Sequence, residues 1–170
     1  VTFQEQGYIF NQWLDQHRAL IFKIVRAYGR TAMDQDDLFQ EITIQVWRSI
    51  PAFRRESAVT TWIYRIALNT AIRWINKEQQ YRNANGAMAA IPEILSPPVF
   101  PVEEQLNWLY ETIHQLDEID RSLALLLLDG FSYKEMAAIL GISVSHVGVK
   151  INRIKKQLII QSKKFIEHGI

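Results

Sequence analysis

Phe131-Ser-Tyr-Lys-Glu-Met-Ala-Ala-Ile-Leu-Gly-Ile-Ser-Val-Ser-His-Val-Gly-Val-Lys-Ile-Asn-Arg-Ile-Lys-Lys156 is the stretch that decides the fold. Ser132, with Glu135 three residues later, is a capping box and predicts a helix from about Tyr133. Met136, Ala137, Ile139 and Leu140 are its apolar positions, and Gly141 stops it, because glycine takes the left-handed conformation after a helix at low cost. Ser143 and Ser145 each offer an N-cap for a second helix, in which Val144, Val147, Ile151, Ile154 and Leu158 recur at helical spacing. A small residue where the helices cross (Ala137), a glycine in the turn and a branched residue packing back (Val147) form the skeleton of a helix-turn-helix. Away from its seam the second helix carries Ser145, His146, Gly148, Val149, Lys150, Asn152, Arg153, Lys155 and Lys156. Hydroxyls and an open backbone at its start, with cations further along, suit a helix that enters a DNA major groove. The bland alternative is a helical hairpin with a solvated basic face; spacing and charge together favour DNA.

Charge is distributed to match. Net charge over the 170 residues is only +1, yet residues 143–170 hold six Lys/Arg against one Asp/Glu. Residues 103–142 hold two against eight, and residues 1–80 hold ten against eight. A basic end beside an acidic shoulder is what a docking DNA reader needs. The absence of cysteine excludes a disulfide framework, a thiolate zinc site and a cysteine nucleophile, and fits a reducing cytoplasm. No apolar run approaches a membrane span, and nothing at the N-terminus resembles a signal peptide. His17, His114, His146 and His168 are scattered without metal-ligand spacing, and no glycine-rich phosphate loop occurs. His114 and Asp117 are spaced to share a helix face, but no nucleophile or second ligand stands near them. The expectation is a protein with no catalytic residues, cofactor or metal.

The rest of the chain reads as helices. Phe10 to Tyr28 shows helical recurrence through Trp13, Leu14, Leu20, Ile21, Ile24 and Val25, with Asn11 as a cap and Gly29-Arg30 as the stop. Asp34 opens the next helix, whose acidic first turn suits the helix dipole. Phe39, Ile42, Val46 and Ile50 are its core stripe, Asp37, Gln40, Glu41 and Arg48 its outer surface, and Pro51 its end. Ala52 to Thr60 reads as a cationic loop before a helix over Thr61–Lys77, with Ile63, Ile66, Ala67, Thr70 and Trp74 inward. Trp62, Arg65, Asn69, Arg73 and Asn76 then share a neighbouring face. That face suits stacking and phosphate contact with unpaired nucleic acid; taken alone, a core tryptophan beside a solvated polar face is the commoner arrangement. Asn, Gly, Ala and four prolines between Gln79 and Pro101 predict a flexible linker. Helices follow over Val102–Leu116, through Leu106, Leu109, Ile113 and Leu116, and over Asp117–Leu128. The fold class expected is all-α: two small helical domains, residues 1–80 and 102–170, joined by a linker at 81–101, the second domain holding the helix-turn-helix.

The two halves together resemble the extracytoplasmic-function (ECF) group of bacterial sigma factors. The likeness rests on Asp37-Leu-Phe-Gln-Glu-Ile, Val46-Trp-Arg, Phe53 and Thr61-Trp-Ile-Tyr-Arg-Ile-Ala-Leu-Asn-Thr in the first half. In the second it rests on Leu116-Asp-Glu-Ile-Asp-Arg, Leu125–Leu128, Gly130-Phe-Ser-Tyr-Lys-Glu-Met-Ala and Gly141-Ile-Ser-Val-Ser-His-Val-Gly-Val-Lys-Ile-Asn-Arg. The resemblance implies two domains, regions 2 and 4, that bind core RNA polymerase and recognise a promoter. It implies that Asp37, Leu38, Gln40 and Glu41 dock on the clamp helices of the β′ subunit. Phe53, Arg54, Ser57 and Thr61 match a loop that captures a base flipped from the −10 element. Trp62, Arg65, Asn69 and Arg73 match the adjoining helix. Ser145, His146, Gly148, Val149, Lys150, Asn152 and Arg153 match the helix that reads the −35 element, although many relatives carry arginine where Gly148 stands. An apolar surface on the first helices of region 4 would hold the β-flap, and an anti-sigma factor is an expected partner. The rival expectation is an autonomous helix-turn-helix regulator with an N-terminal helical sensing domain.

Overall fold

Three reciprocal capping boxes, Thr2–Glu5, Thr31–Asp34 and Ser132–Glu135, set helix starts in the computed structural model, which describes residues 2–85 and 101–168. In each, the hydroxyl accepts from the amide three residues on and the carboxylate accepts from the cap's own amide, so two orphan donors are satisfied at once. Seven α-helices lie among the described residues, in two separate units.

The first unit packs α1 (Phe3–Tyr28), α2 (Ala32–Ser49) and α3 (Val59–Ala84) so that each helix touches the other two. Ile21, Ile24 and Tyr28 of α1, Leu38, Ile42 and Val46 of α2, and Ile63, Tyr64 and Leu68 of α3 close the core. A short 3-10 turn, Ile50–Ala52, leads from α2 into the loop before α3. The second unit holds α4 (Pro101–His114), α5 (Glu118–Leu128), α6 (Tyr133–Leu140) and α7 (Val144–His168). α5 is its centre: every residue from Asp120 to Leu126 is buried, and the helix packs against α4, α6 and α7. Arg121, also buried, donates to the carbonyls of His114 and Leu116 at 3.0 Å each, tying the end of α4 to α5.

Several boundaries differ from the sequence expectation. α1 starts at Phe3, not Phe10, because Thr2–Glu5 caps it and because Phe3 and Phe10 both set their edges against Trp47 of α2. α3 runs on to Ala84, so the beginning of the expected linker is helical; Gln79 to Arg82 contain no breaker, and Asn85 is the cap. Proline is accepted in a first helical turn, so α4 begins at Pro101 itself. The remainder of the expected linker, residues 86–100, lies outside the described residues. Leu38 rather than Phe39 is fully buried in α2, while Phe39 stacks on Phe22 at the margin with ring centroids 4.9 Å apart. Trp74 and Ile66 are half-buried, and Tyr64, Leu68 and Ala71 take the inner positions of α3.

The turn between α1 and α2 depends on Gly29. A Cβ there would lie 2.8 Å from Gln35 Cγ and 3.0 Å from the Gln35 amide nitrogen, while Gln35 Nε2 donates to the Gly29 carbonyl at 3.1 Å. Gly29→Ala is expected to lower the melting transition of the first unit, as overpacking costs about 1–3 kcal/mol. Gly7→Ala, within α1 and with nothing within 4 Å of its Cβ, is expected to raise stability by about 0.5–1 kcal/mol. Thermal unfolding followed by circular dichroism checks both; an unshifted Gly29→Ala midpoint contradicts the close approach.

Candidate nucleic-acid interface

The turn of the helix-turn-helix is built as its residues predict. Gly141 is left-handed (φ +68), and the amides of Gly141 and Ile142 both donate to the Ala137 carbonyl, at 2.9 and 3.2 Å. Ser143 caps α7 by accepting from the His146 amide at 3.1 Å. Ala137 and Val147 are buried where α6 meets α7. Ile151 and Ile154 continue the seam, but Val144 does not: it is half exposed at the helix start.

Opposite the seam, Ser145, Val149, Asn152 and Lys156 follow one another at steps of four, three and four, and all are exposed. His146 is exposed on the flank. Gly148 has room beside it, for a Cβ would sit 3.8 Å from the Tyr133 ring. Two expected contact residues behave differently. Lys150 is turned inward, its side chain 15% exposed, with Nζ 2.6 Å from Asp120 Oδ1 and 3.8 Å from Asp117 Oδ2. Arg153 donates through Nη2 to Asp120 Oδ2 and lies 3.7 Å from Asp117 Oδ2. Its hydrogen bond to Asp120, with the charge of that carboxylate, holds the guanidinium still more firmly protonated. Lys150, expected at the −35 element, is thus held against Asp120, because burial of that carboxylate demands a counter-charge.

In the first unit the expected nucleic-acid residues divide between two concavities. Phe53 and Ser57 line one of about 540 Å³, together with Gln12, Trp13, Gln16 and Arg55. Trp62, Arg65, Asn69 and Arg73 line the other, about 660 Å³, together with Gln45 and Arg48 of α2. Arg54 is exposed and Thr61 half-buried, and neither lines these two. An aromatic chain separates the concavities: Phe53 meets the edge of Trp13 at 5.1 Å and tilts against Trp62 at 5.4 Å between centroids. Trp62 Nε1 donates to Ser49 Oγ at 3.1 Å, so this indole is anchored to α2 rather than loose. Sequence reasoning missed Arg55, which takes a left-handed backbone (φ +59) that a non-glycine residue rarely adopts. It also missed Gln12 and Gln16, although their i, i+4 spacing on α1 was available as a signal.

On α2, Asp37 and Gln40 are exposed, and Glu41, half-buried, accepts from Gln45 Nε2 at 2.8 Å. Leu38 is fully buried beneath these residues. Among the described residues no cluster of three metal-ligating side chains occurs, and no helix is long and apolar enough to cross a membrane.

Comparison with known proteins fits both units. Residues 13–81 match the family profile "Sigma-70 region 2", and residues 106–158 match "Sigma-70, region 4". The chain is 31% identical over 162 residues to the ECF RNA polymerase sigma-E factor of Escherichia coli strain K12, covering 88% of this chain and 84% of that one. It is 32% identical over 144 residues to the sigma-E factor of Haemophilus influenzae, covering 74% and 72%. Among solved structures, the sigma factor RpoE of Bartonella quintana, in complex with the anti-sigma factor NepR, shares the fold with a TM-score of 0.75 at 20% identity, covering 91% of this chain and 96% of that one. CnrH, in complex with the cytosolic domain of CnrY, shares it at 0.66 and 23% identity, covering 93% and 90%. Regions 2 and 4 in this order define a factor of the sigma-70 class. The chain belongs to the ECF group of RNA polymerase sigma factors. It is an alternative sigma factor for transcription initiation, working with RNA polymerase on promoter DNA, and its N-terminal unit is region 2 rather than a sensing domain.

The α6 cap gives a test of how the helix-turn-helix is held. Hydrogen bonds from Ser132 keep the Glu135 carboxyl below the usual carboxylate range. Its folded pKa is depressed, so its contribution is present above the unfolded value and is lost as pH falls through the folded one. Glu135→Gln is expected to flatten the acid limb of the stability–pH curve, and Ser132→Ala to cost about 1 kcal/mol at neutral pH. Denaturant titrations from neutral pH downward check this; an acid limb that Glu135→Gln leaves unchanged contradicts it.

Proposed function

We propose that the two units divide promoter recognition. Residues 1–80 engage core polymerase and the −10 element, residues 102–170 read the −35 element, and residues 81–101 tether the two. The observation that carries the reading is the groove of about 660 Å³ in which Trp62, Arg65, Asn69 and Arg73 converge. An anchored indole, two guanidiniums and an amide match what an unpaired strand offers: stacking faces, phosphates and base edges. The neighbouring concavity, with Phe53 and Ser57, receives a base extruded from that strand, and Arg54 lies beside it on the same loop. On α7, Ser145, His146, Val149 and Asn152 read base edges, and the backbone at Gly148 approaches the duplex.

Polymerase docking is assigned to Asp37, Gln40 and Glu41 of α2, on the β′ clamp helices. In region 4 the exposed Leu106 and Leu128 support an apolar contact with the β-flap. Sigma factors are not enzymes as a class, and the chemistry of RNA synthesis is left to the polymerase. The site of action is the cytoplasm, with the transcription machinery. The solved sigma factor RpoE of Bartonella quintana is held by an anti-sigma factor, and the same kind of control is proposed here.

Adding the chain to purified core polymerase and mapping RNA 5′ ends genome-wide tests the assignment; new start sites that share spaced upstream and downstream elements are the expected result. Asn69→Ala and Arg73→Ala are expected to impair promoter opening more than polymerase binding, with the melting temperature unchanged. They are cleaner tests than Trp62→Ala, which also removes the bond to Ser49 and the contact with Phe53. Permanganate footprinting beside a core-binding assay separates the two steps, and equal loss of both removes the strand-binding assignment.

A further inference from the structure

Asp120 is the only carboxylate among the buried described residues, 2% exposed, in the first turn of the helix at the centre of region 4. Stability alone does not account for it. Replacing a buried ion pair by well-packed apolar residues is often neutral or stabilising, and Leu123 and Leu126 on the same helix are fully buried without any partner charge. Asp120 instead takes two cations from α7. One of its carboxylate oxygens receives Lys150 and the other receives Arg153, while Asp117, the cap of α5, stands 3.8 and 3.7 Å from the same two groups. Lys150 and Arg153 are one turn apart on the flank of α7, beside the exposed stripe of Ser145, Val149, Asn152 and Lys156.

Cations on a DNA-reading helix have a known drawback. Each one that neutralises a phosphate adds affinity for every sequence alike, and only contacts with base edges discriminate. We infer that Asp120 is a specificity-determining residue of region 4. It holds Lys150 inward on the protein and pairs with Arg153, whose side chain stays 56% exposed, so α7 meets the duplex with one free cation fewer. This rests on the reading of α7 as the −35 helix given above. Asp120 touches no DNA; it is a positioning residue that acts through its two partners.

Salt dependence separates this role from a merely structural one. The chain is titrated onto a random-sequence duplex over a range of salt concentrations, and onto duplexes carrying the upstream element selected in the start-site mapping or a scrambled copy. Asp120→Asn is expected to steepen the slope of log affinity against log salt on the random duplex by about one, for the lysine released. Preference for the selected element over the scrambled one should fall severalfold. Lys150→Met, which keeps a chain of similar length, is expected to leave the wild-type slope unchanged. A slope that falls by about one for Lys150→Met overturns the inference, as does a folded Asp120→Asn with unchanged slope and preference. If Asp120→Asn does not fold, Lys150→Met decides alone, since it should leave the slope as it is. A wild-type protein that shows no upstream preference would instead overturn the reading of α7, a result distinct from normal preference with unresponsive variants.

Discussion

A carboxylate sealed inside a helical core has to be matched by positive charge, and region 4 is arranged around that requirement. Leaving Asp120 buried without a partner would cost several kcal/mol, about 3–5 by the usual measure of a broken buried pair. The cations come from α7, so α5 and α7 meet through charge as well as through an apolar seam. The apolar seam of Val147, Ile151 and Ile154 supplies the attraction, but hydrophobic contact is non-directional and leaves rotation loosely defined. Two hydrogen-bonded ion pairs through opposite oxygens of one carboxylate are directional.

Region 2 solves a different problem, that of presenting aromatic and cationic groups on a rigid support. Trp62 is packed on Phe53, which in turn meets Trp13, and its indole nitrogen is bound to Ser49. The stacking group is thereby fixed to all three helices of the unit through their loops and ends. Pre-ordering of this kind reduces the entropy lost when a flexible strand is bound. Arg65, Asn69 and Arg73 stay exposed on successive turns of the same helix, beside the anchored ring. The face therefore combines an anchored ring with exposed polar side chains.

The charge asymmetry of the chain takes on a second meaning in this light. The acidic shoulder does more than repel or steer, since two of its members, Asp117 and Asp120, stand against two of the six cations in residues 143–170. A count along the sequence leaves those cations without partners; the fold sets both against carboxylates of α5 and its cap. Lys156 remains on the outward stripe, and Lys155 is exposed beside it.

Much of this was legible in the sequence because it depends on local chemistry. The capping box at Ser132–Glu135, the left-handed Gly141 and the 3.6-residue recurrence of Val147, Ile151 and Ile154 need only neighbours a few residues away, and they fixed the helix-turn-helix. The face bearing Trp62, Arg65, Asn69 and Arg73 followed from the same periodicity. Thr2–Glu5 was an equally local signal that the apolar pattern, beginning at Phe10, concealed. What only the tertiary structure decided are relations between residues far apart in the chain. Lys150 and Asp120 are 30 positions apart, and whether that lysine meets solvent, DNA or a carboxylate depends on how α5 lies under α7. Leu38 and Phe39 are adjacent and both apolar, and the packing of α1 and α3 alone chose which went inside. Periodicity reports which face of a helix is buried; it carries no information about the partner that buries it, and here that partner brings a carboxylate to Lys150.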